Sequence, residues 1–368
     1  MGNIFDYLTW RGDLTFTQDP PNAVDALIFS TLAYVSYGPL AQSLPGQAVS
    51  LRQCAGEFFT LPDRESRVRV KRDMELLDRA AATLRFGQCR LCMYHSKFLP
   101  EQETQFAAMT FLLDDGSLIV TFRGTDNSLV GWKEHFNMTF QQTIPAQRLA
   151  QQYVRDVALE LAAPMRIAGH SKGGNLAVFA AARTSPMLRK RIVEVFNNDG
   201  PGFTQYMIGD PGYAAMVPRI RTYIPQSSVI GMLLEHEEPY QVVRSKNVGI
   251  MQHDPYSWEV EGPAFLQVAE VTESSQFLDA TIKNWFAGMT NQERNRLVDV
   301  MFALLNTGDV EHAVDIFQPK NIRTYVKTLS SDADLRHILS EEFQGLLEAA
   351  RKARLSMELK TLPEKTQQ

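Results

Sequence analysis

The stretch that most constrains this chain is Arg166-Ile167-Ala168-Gly169-His170-Ser171-Lys172-Gly173-Gly174-Asn175-Leu176-Ala177-Val178. Residues 164–168 form a short apolar run that predicts a strand, and residues 176–182 predict a buried helix. Between them, Gly169-x-Ser171-x-Gly173 puts a serine on a tight strand-to-helix turn. Glycines are required on such a turn because a Cβ would collide with adjacent backbone. A serine presented this way is a candidate nucleophile.

The rest of the chain supplies a sheet for that turn. Residues 88–94, 106–113 and 117–122 have strand patterns, the last two joined by the hairpin turn Asp114-Asp115-Gly116. Residues 146–161 and 174–183 predict helices, and 192–196, 220–224 and 240–244 predict further strands. Each strand then delivers a loop to one edge, where parallel α/β folds place their sites. The expected fold is α/β, with a central, mostly parallel sheet flanked by helices. Ahead of the sheet, Val24, Leu27, Ile28, Leu32 and Val35 recur at helical spacing after Asn22, as do Val70, Met74, Leu77, Ala81 and Leu84. Beyond about residue 270 the pattern is helical: Thr290-Asn291-Gln292-Glu293 fits a capping box, with Leu297, Val300, Met301, Leu304 and Leu305 as the apolar stripe and Gly308 as its end. A polar tail, 360–368, is expected to fray. The expected organisation is an N-terminal helical segment packing on the sheet (1–86), an α/β core (87–265) and a helical C-terminal extension (266–368).

Composition narrows the function classes. The 368 residues are 44% hydrophobic and 21% charged with a net charge of −5, which is the profile of a globular chain without a nucleic-acid stripe. Arg67, Arg69, Lys71 and Arg72 cluster, but Glu65, Asp73 and Glu75 bracket them, so a solvated helix face is expected. Three cysteines, Cys54, Cys89 and Cys92, make no disulfide framework and favour a reducing compartment. Cys89-x-x-Cys92 has no second pair and reads as strand, so no metal or cofactor is expected. The N-terminus lacks the basic and apolar regions of a secretory signal, and no apolar run approaches a membrane span. A cytoplasmic location follows as an expectation.

Phe122-Arg123-Gly124-Thr125, the later Trp132, the Gly169 to Asn175 segment and His253 together resemble the fungal-type (class 3) lipases of the α/β-hydrolase superfamily. The chain is more closely similar to a bacterial family within that superfamily, the Mbeg-like proteins, known mainly by their fold. Asn3-Ile4-Phe5-Asp6-Tyr7, Trp10-Arg11-Gly12-Asp13, Asp199-Gly200-Pro201-Gly202-Phe203 and Gln252-His253-Asp254-Pro255 with Trp258 carry that second resemblance.

The resemblance implies an α/β-hydrolase fold and a serine hydrolase cleaving carboxylic esters, lipase- or esterase-like, with thioesters as a further substrate. Ser171 is then the nucleophile, and the N–H groups of Thr125 and Lys172 form the oxyanion hole, with the Thr125 hydroxyl available as well. Chain order in this fold, serine then acid then histidine, selects His253 as the base. His95, His135 and His170 precede the nucleophile, His312 and His337 lie in the helical tail, and His236 sits in a solvent-facing context. His170, Gly124 and Trp132 are expected to line the pocket. Arg123 is expected to pin its own loop. The acid is open. Class 3 lipases carry an aspartate after the strand at 220–224, where this chain has Ser227-Ser228. Asp199 is the leading substitute, although an Asp-Gly-Pro-Gly run is also ordinary turn chemistry. Asp254, a residue near Ser228, or no acid at all, are the alternatives.

Phe136, Met138 and Phe140, with Tyr206, Met207, Ile208, Tyr213 and Met216, are either an apolar lid or acyl pocket, or helix core. A small acyl ester or lipid is the expected ligand, and a homo-oligomer through the helical C-terminal part is the expected assembly. Two rival functions share these residues: a non-catalytic scaffold binding an apolar ligand or protein partner, and an amidase, peptidase or acyltransferase.

Overall fold

In the computed structural model, which describes residues 1–41, 44–126, 128–308 and 318–361, the strands in chain order are β1 (Val49–Ser50), β2 (Arg90–Leu99), β3 (Thr104–Leu112), β4 (Leu118–Phe122), β5 (Met165–His170), β6 (Ile192–Asn198), β7 (Ile220–Pro225), β8 (Tyr240–Val243), β9 (Val260–Glu261), β10 (Ala264–Phe265) and β11 (Gln267–Val268). The α-helices are α1 (Ile4–Arg11), α2 (Ala23–Leu32), α3 (Leu51–Thr60), α4 (Lys71–Ala82), α5 (Leu84–Gly87), α6 (Leu129–Asn137), α7 (Pro145–Glu160), α8 (Lys172–Arg183), α9 (Pro186–Arg189), α10 (Gln205–Ile208), α11 (Pro211–Met216), α12 (Glu273–Ala287), α13 (Asn291–Leu305), α14 (Pro319–Ser331) and α15 (Ala333–Thr361).

Among the described residues, nine strands form one sheet in the order β1-β2-β3-β4-β5-β6-β7-β8-β11. Strands β4 to β8 run parallel, whereas β1 to β4 and the β8–β11 pair are antiparallel. The sheet is therefore mixed, with parallel strands at its centre, rather than mostly parallel. The β2–β3 and β3–β4 pairs depart because their short connections can only reverse the chain. Gly116, at φ 80°, closes the β3–β4 hairpin. The architecture is that of an α/β-hydrolase: a central sheet with helices on both faces and a helical C-terminal region.

Side chains alternate across the strands, so each strand feeds two cores. Phe111, Ile119, Ala168, Phe196 and Tyr223 face the N-terminal helices, while Leu118, Val120, Phe122, Ile167 and Val195 face α7 and α8. Helix α2 begins at Asn22, whose side chain accepts from Val24 N and Asp25 N, with Asp25 completing a capping box. Asp25 is wholly buried, and its oxygens lie 2.8 and 2.5 Å from the equally buried Arg85 guanidinium. Tyr7 donates to the same carboxylate at 2.9 Å. One ion pair thus ties α1, α2 and α5 together.

The basic cluster is a solvated face only in part: Lys71 and Arg72 are exposed on α4, whereas Arg69 is covered. The Arg69 guanidinium lies 4.2 Å over the Tyr34 ring and 3.7 Å from the buried carboxylate of Asp73. Tyr256 donates to that same carboxylate at 2.7 Å, which docks a distant loop on α4. Charge counting along the sequence cannot anticipate a buried partner that arrives from elsewhere in the chain. The apolar positions 136–140 and 206–216 are mainly core. Met138, Phe140, Met207, Tyr213 and Met216 are buried.

In the C-terminal part, Thr290 caps α13 with the expected Glu293 reciprocity. The buried face of α13 is Leu297, Val298 and Phe302 rather than a stripe through Val300 and Leu304. Val298 and Phe302 pack with Phe140, so this helix docks on α6. Lys133 on α6 meets Asp299 at 2.6 Å. Among the described residues, no helix is long and apolar enough to cross a membrane. His312 and most of the polar tail lie outside the described residues.

Candidate active site

Ser171 stands between β5 and α8 with φ 59° and ψ −133°. A positive φ is uncommon for a residue with a side chain and marks stored strain. The turn is tolerated only because its neighbours lack side chains: a Cβ at Gly169 would lie 2.0 Å from the Gly173 carbonyl oxygen, and one at Gly173 would lie 2.2 Å from that of Phe122. Ser171 N–H donates to Asn198 O at 2.9 Å, which anchors the turn to β6.

The loop after β6 carries the carboxylate. Asp199 is wholly buried with φ 52°, and its N–H donates to Tyr223 O at 2.8 Å. Its Oδ2 lies 2.6 Å from His253 Nδ1. Its Oδ1 accepts from Ser228 Oγ at 2.5 Å and from Gly231 N–H at 3.1 Å. The serine found where a related carboxylate was expected is thus a ligand of the aspartate from the neighbouring strand. Asp254 turns away: it caps Tyr256 N and faces Arg72 at 3.6 Å.

His253 sits at the end of a short 3-10 turn, Gly249–His253. Its ring lies 4.6 Å from that of His170, the residue preceding Ser171. His170 is fully buried and does not present an edge to an open pocket. Its Nε2 is 2.9 Å from the His253 carbonyl oxygen, and its Nδ1 is 2.9 Å from the Tyr34 hydroxyl. A carbonyl only accepts, so Nε2 carries the proton and Nδ1 accepts from Tyr34. Burial, followed by the proximity of His253, holds the His170 pKa well below its ordinary value, consistent with that neutral tautomer.

Thr125 follows β4 in the loop beside the elbow. Among the described residues its Oγ1 is buried without a hydrogen-bond partner, a costly state for a hydroxyl unless something arrives to fill it. Gly124 approaches Ser171 closely, since a Cβ there would lie 3.1 Å from Ser171 Cβ and 2.5 Å from His170 O. Arg123 faces Asp126 at 3.6 Å, within its own loop. Lys172 is the first residue of α8, so its N–H has no intrahelical acceptor. Trp132, on α6, is 38% exposed. His135 on the same helix has a buried Nε2 with no partner, and burial together with Lys172 and His253 pushes its pKa down to about 3.

A family model for Mbeg1-like proteins matches residues 80–303, more than half of the chain. The chain belongs to the Mbeg1-like family. Among solved structures, this Mbeg1-like chain is similar to the Rhizomucor miehei lipase propeptide complex, at 12% identity and a TM-score of 0.36 over 60% of this chain and 67% of that one. A mutant form of MDLA from Penicillium cyclopium matches at 15% identity and a TM-score of 0.36 over 60% of this chain and 80% of that one. Lipase II from Rhizopus niveus matches at 14% and 0.35 over 61% and 80%. No curated protein matches the chain.

Several residues around the site were not visible in the sequence. Tyr34 reads as one more residue at the end of an apolar helix, yet it sets the tautomer of His170. Glu134 and Gln105 hold the Lys172 ammonium, with Nζ at 2.6 Å from Glu134 Oε2 and from Gln105 O, and 3.1 Å from Gln105 Oε1. The available signal was a lysine opening an otherwise buried helix, because a buried cation demands an anion. His236 was expected to face solvent. It is instead almost enclosed, with Nδ1 3.0 Å from the buried Glu238 and Nε2 2.9 Å from Gly231 O. The acidic run around it looks like surface, but Glu238 is drawn inward by Tyr213 and Thr222 at 2.5 and 2.7 Å.

Proposed function

We propose that the protein is a serine hydrolase of carboxylic esters that works through an acyl-enzyme on Ser171. The observation that carries this reading is the 2.6 Å contact of the buried Asp199 with His253 Nδ1, next to a serine held at positive φ. A serine hydroxyl is a weak nucleophile near neutrality and needs a base. An aspartate on Nδ1 fixes the histidine tautomer so that Nε2 is free to take the serine proton, and it then stabilises the imidazolium.

Ser171 Oγ attacks the ester carbonyl and its proton passes to His253 Nε2. The carbonyl oxygen gains charge, which the N–H groups of Thr125 and Lys172 and the otherwise unused Thr125 hydroxyl are suited to receive. His253 then protonates the leaving alcohol. A water, deprotonated by the same nitrogen, releases the acid and restores Ser171.

The test is labelling of the full chain with a fluorophosphonate probe, alongside turnover of p-nitrophenyl acetate. Labelling is expected at Ser171, and Ser171→Ala is expected to lose both labelling and turnover while its circular dichroism is unchanged. Full turnover in that variant would overturn the reading.

A further inference from the structure

We propose that the buried side chain of Lys172 is a positioning residue, locking the loop that carries Thr125 against the helix that carries the Lys172 N–H. The inference rests on the Ser171 hydrolase reading and concerns how its two oxyanion donors, which come from separate segments, are held in register.

An ammonium has three protons to place. Those of Lys172 meet three acceptors on two residues: Glu134 Oε2, Gln105 O and Gln105 Oε1. Both residues lie on the Thr125 side of the site. Gln105 opens β3, and its Oε1 also accepts from Asp126 N–H, the residue after Thr125, at 3.4 Å. Glu134 is on α6, just beyond that loop, and its carboxylate accepts from Gln105 N and from Ala146 N, both at 3.1 Å. Packing closes the arrangement, since a Cβ at Gly131 would lie 3.0 Å from both Gln105 Oε1 and Thr125 Cγ2. A single residue therefore offers its backbone N–H to one side of the elbow and grips the opposite segment with its side chain.

Stability alone does not account for this pair. Lys172 and Glu134 side chains are 0% and 1% exposed, and burying two charges costs about as much as their attraction returns. Directional bonds do what packing cannot. An oxyanion site loses much of its effect when a donor is displaced by about 0.5 to 1 Å.

The experiment compares the full-length protein with Lys172→Met, Glu134→Gln, Gln105→Leu and the double variant Lys172→Met/Glu134→Leu, which replaces the ion pair by an apolar one. Steady-state hydrolysis of p-nitrophenyl acetate, inhibition by phenylboronic acid and urea unfolding are measured on each. The boronate adduct on Ser171 places an oxygen where the oxyanion forms. The double variant is expected to fold, at a lower urea midpoint because the Gln105 and Ala146 N–H groups lose their acceptor, and to lose about 30-fold in kcat per folded molecule with KM nearly unchanged, while the boronate Ki rises in parallel. Gln105→Leu keeps the ion pair and removes the acceptor of Asp126 N–H; about tenfold loss is expected there. It decides the matter if the lysine variants do not fold. Wild-type kcat and Ki in the folded double variant, or in Gln105→Leu, would overturn the inference while wild-type labelling of Ser171 left the hydrolase reading intact. Failure of the wild type to label would remove the reading and this inference together.

Discussion

Asp199 and His253 are 54 residues apart in sequence and 2.6 Å apart in space, with the carboxylate wholly buried and the imidazole a quarter exposed. The difference in exposure is chemically useful. Ser228 and Gly231 bond Asp199 Oδ1 on one side, and His253 takes the other oxygen while part of its ring stays exposed. A carboxylate with all its acceptor positions filled on one side has a single direction left in which to orient a base.

Replacing Asp199 by Asn keeps the shape and removes the charge that selects the His253 tautomer. A fall of about 10⁴ in kcat on p-nitrophenyl acetate is expected, with little change in KM. Ser228→Ala should cost far less, about tenfold, because Gly231 N–H still holds Oδ1. Equal losses in the two variants would contradict the assignment of Asp199 as the acid.

Thr125→Val removes a hydroxyl that makes no hydrogen bond among the described residues, so folding stability should hold or rise slightly. Catalysis should fall by about 10² in kcat if that hydroxyl serves the oxyanion, and Thr125→Ser should retain most of the rate. Urea midpoints and kcat measured on the same preparations separate the two effects.

His170 gives stability a dependence on pH with a definite sign. Its folded pKa lies well below 6.5 because burial disfavours the imidazolium, while the unfolded chain titrates near 6.5. Between those values the unfolded state binds one proton more than the folded state. Stability is therefore fully present above about pH 6.5 and is lost as pH falls below it, by at most about 1.4 kcal/mol per pH unit for this one group. Urea unfolding of wild type and His170→Gln at pH 7.5, 6.0 and 5.0 should give a shallower slope for the variant. Parallel slopes would rule out His170 as the source.

Arg85→Ala should be among the most damaging substitutions away from the site. It leaves Asp25 buried, already pushed toward protonation by burial, without its counter-charge. Breaking one partner of a buried pair costs about 3–5 kcal/mol. The urea midpoint should drop accordingly, while kcat per folded molecule stays near wild type, because Arg85 bonds residues of the N-terminal segment, at Leu14, Thr15, Asp19 and Pro20.

Much of the framework was legible because it is local. Residues 220–224, 192–196 and 165–168 lie within observed strands, and helices α2, α7, α8 and α13 start within two residues of the positions their caps and periodicity indicated. Where the expectation and the structure part, the cause lies outside the segment concerned. Arg69 was taken for surface because its neighbours in sequence are charged, but Tyr34 and Asp73 cover it. His236 followed the same logic and was buried by Glu238. The α13 stripe rotated because Phe140, from the turn after α6, sets which side of it is inside.

By itself the sequence determined the elbow. A serine among glycines, between an apolar strand and an apolar helix, admits one backbone solution, since the contacts that forbid a Cβ at Gly169 and Gly173 arise within a few residues and the adjacent strand. Only the tertiary structure decided which carboxylate turns toward His253, because the chain favours Asp199 over Asp254 without excluding either, and what folds around them makes the difference. The same holds for Lys172: its backbone position follows from the motif, but the three acceptors of its ammonium come from β3 and α6, and nothing short of the packed sheet brings them there.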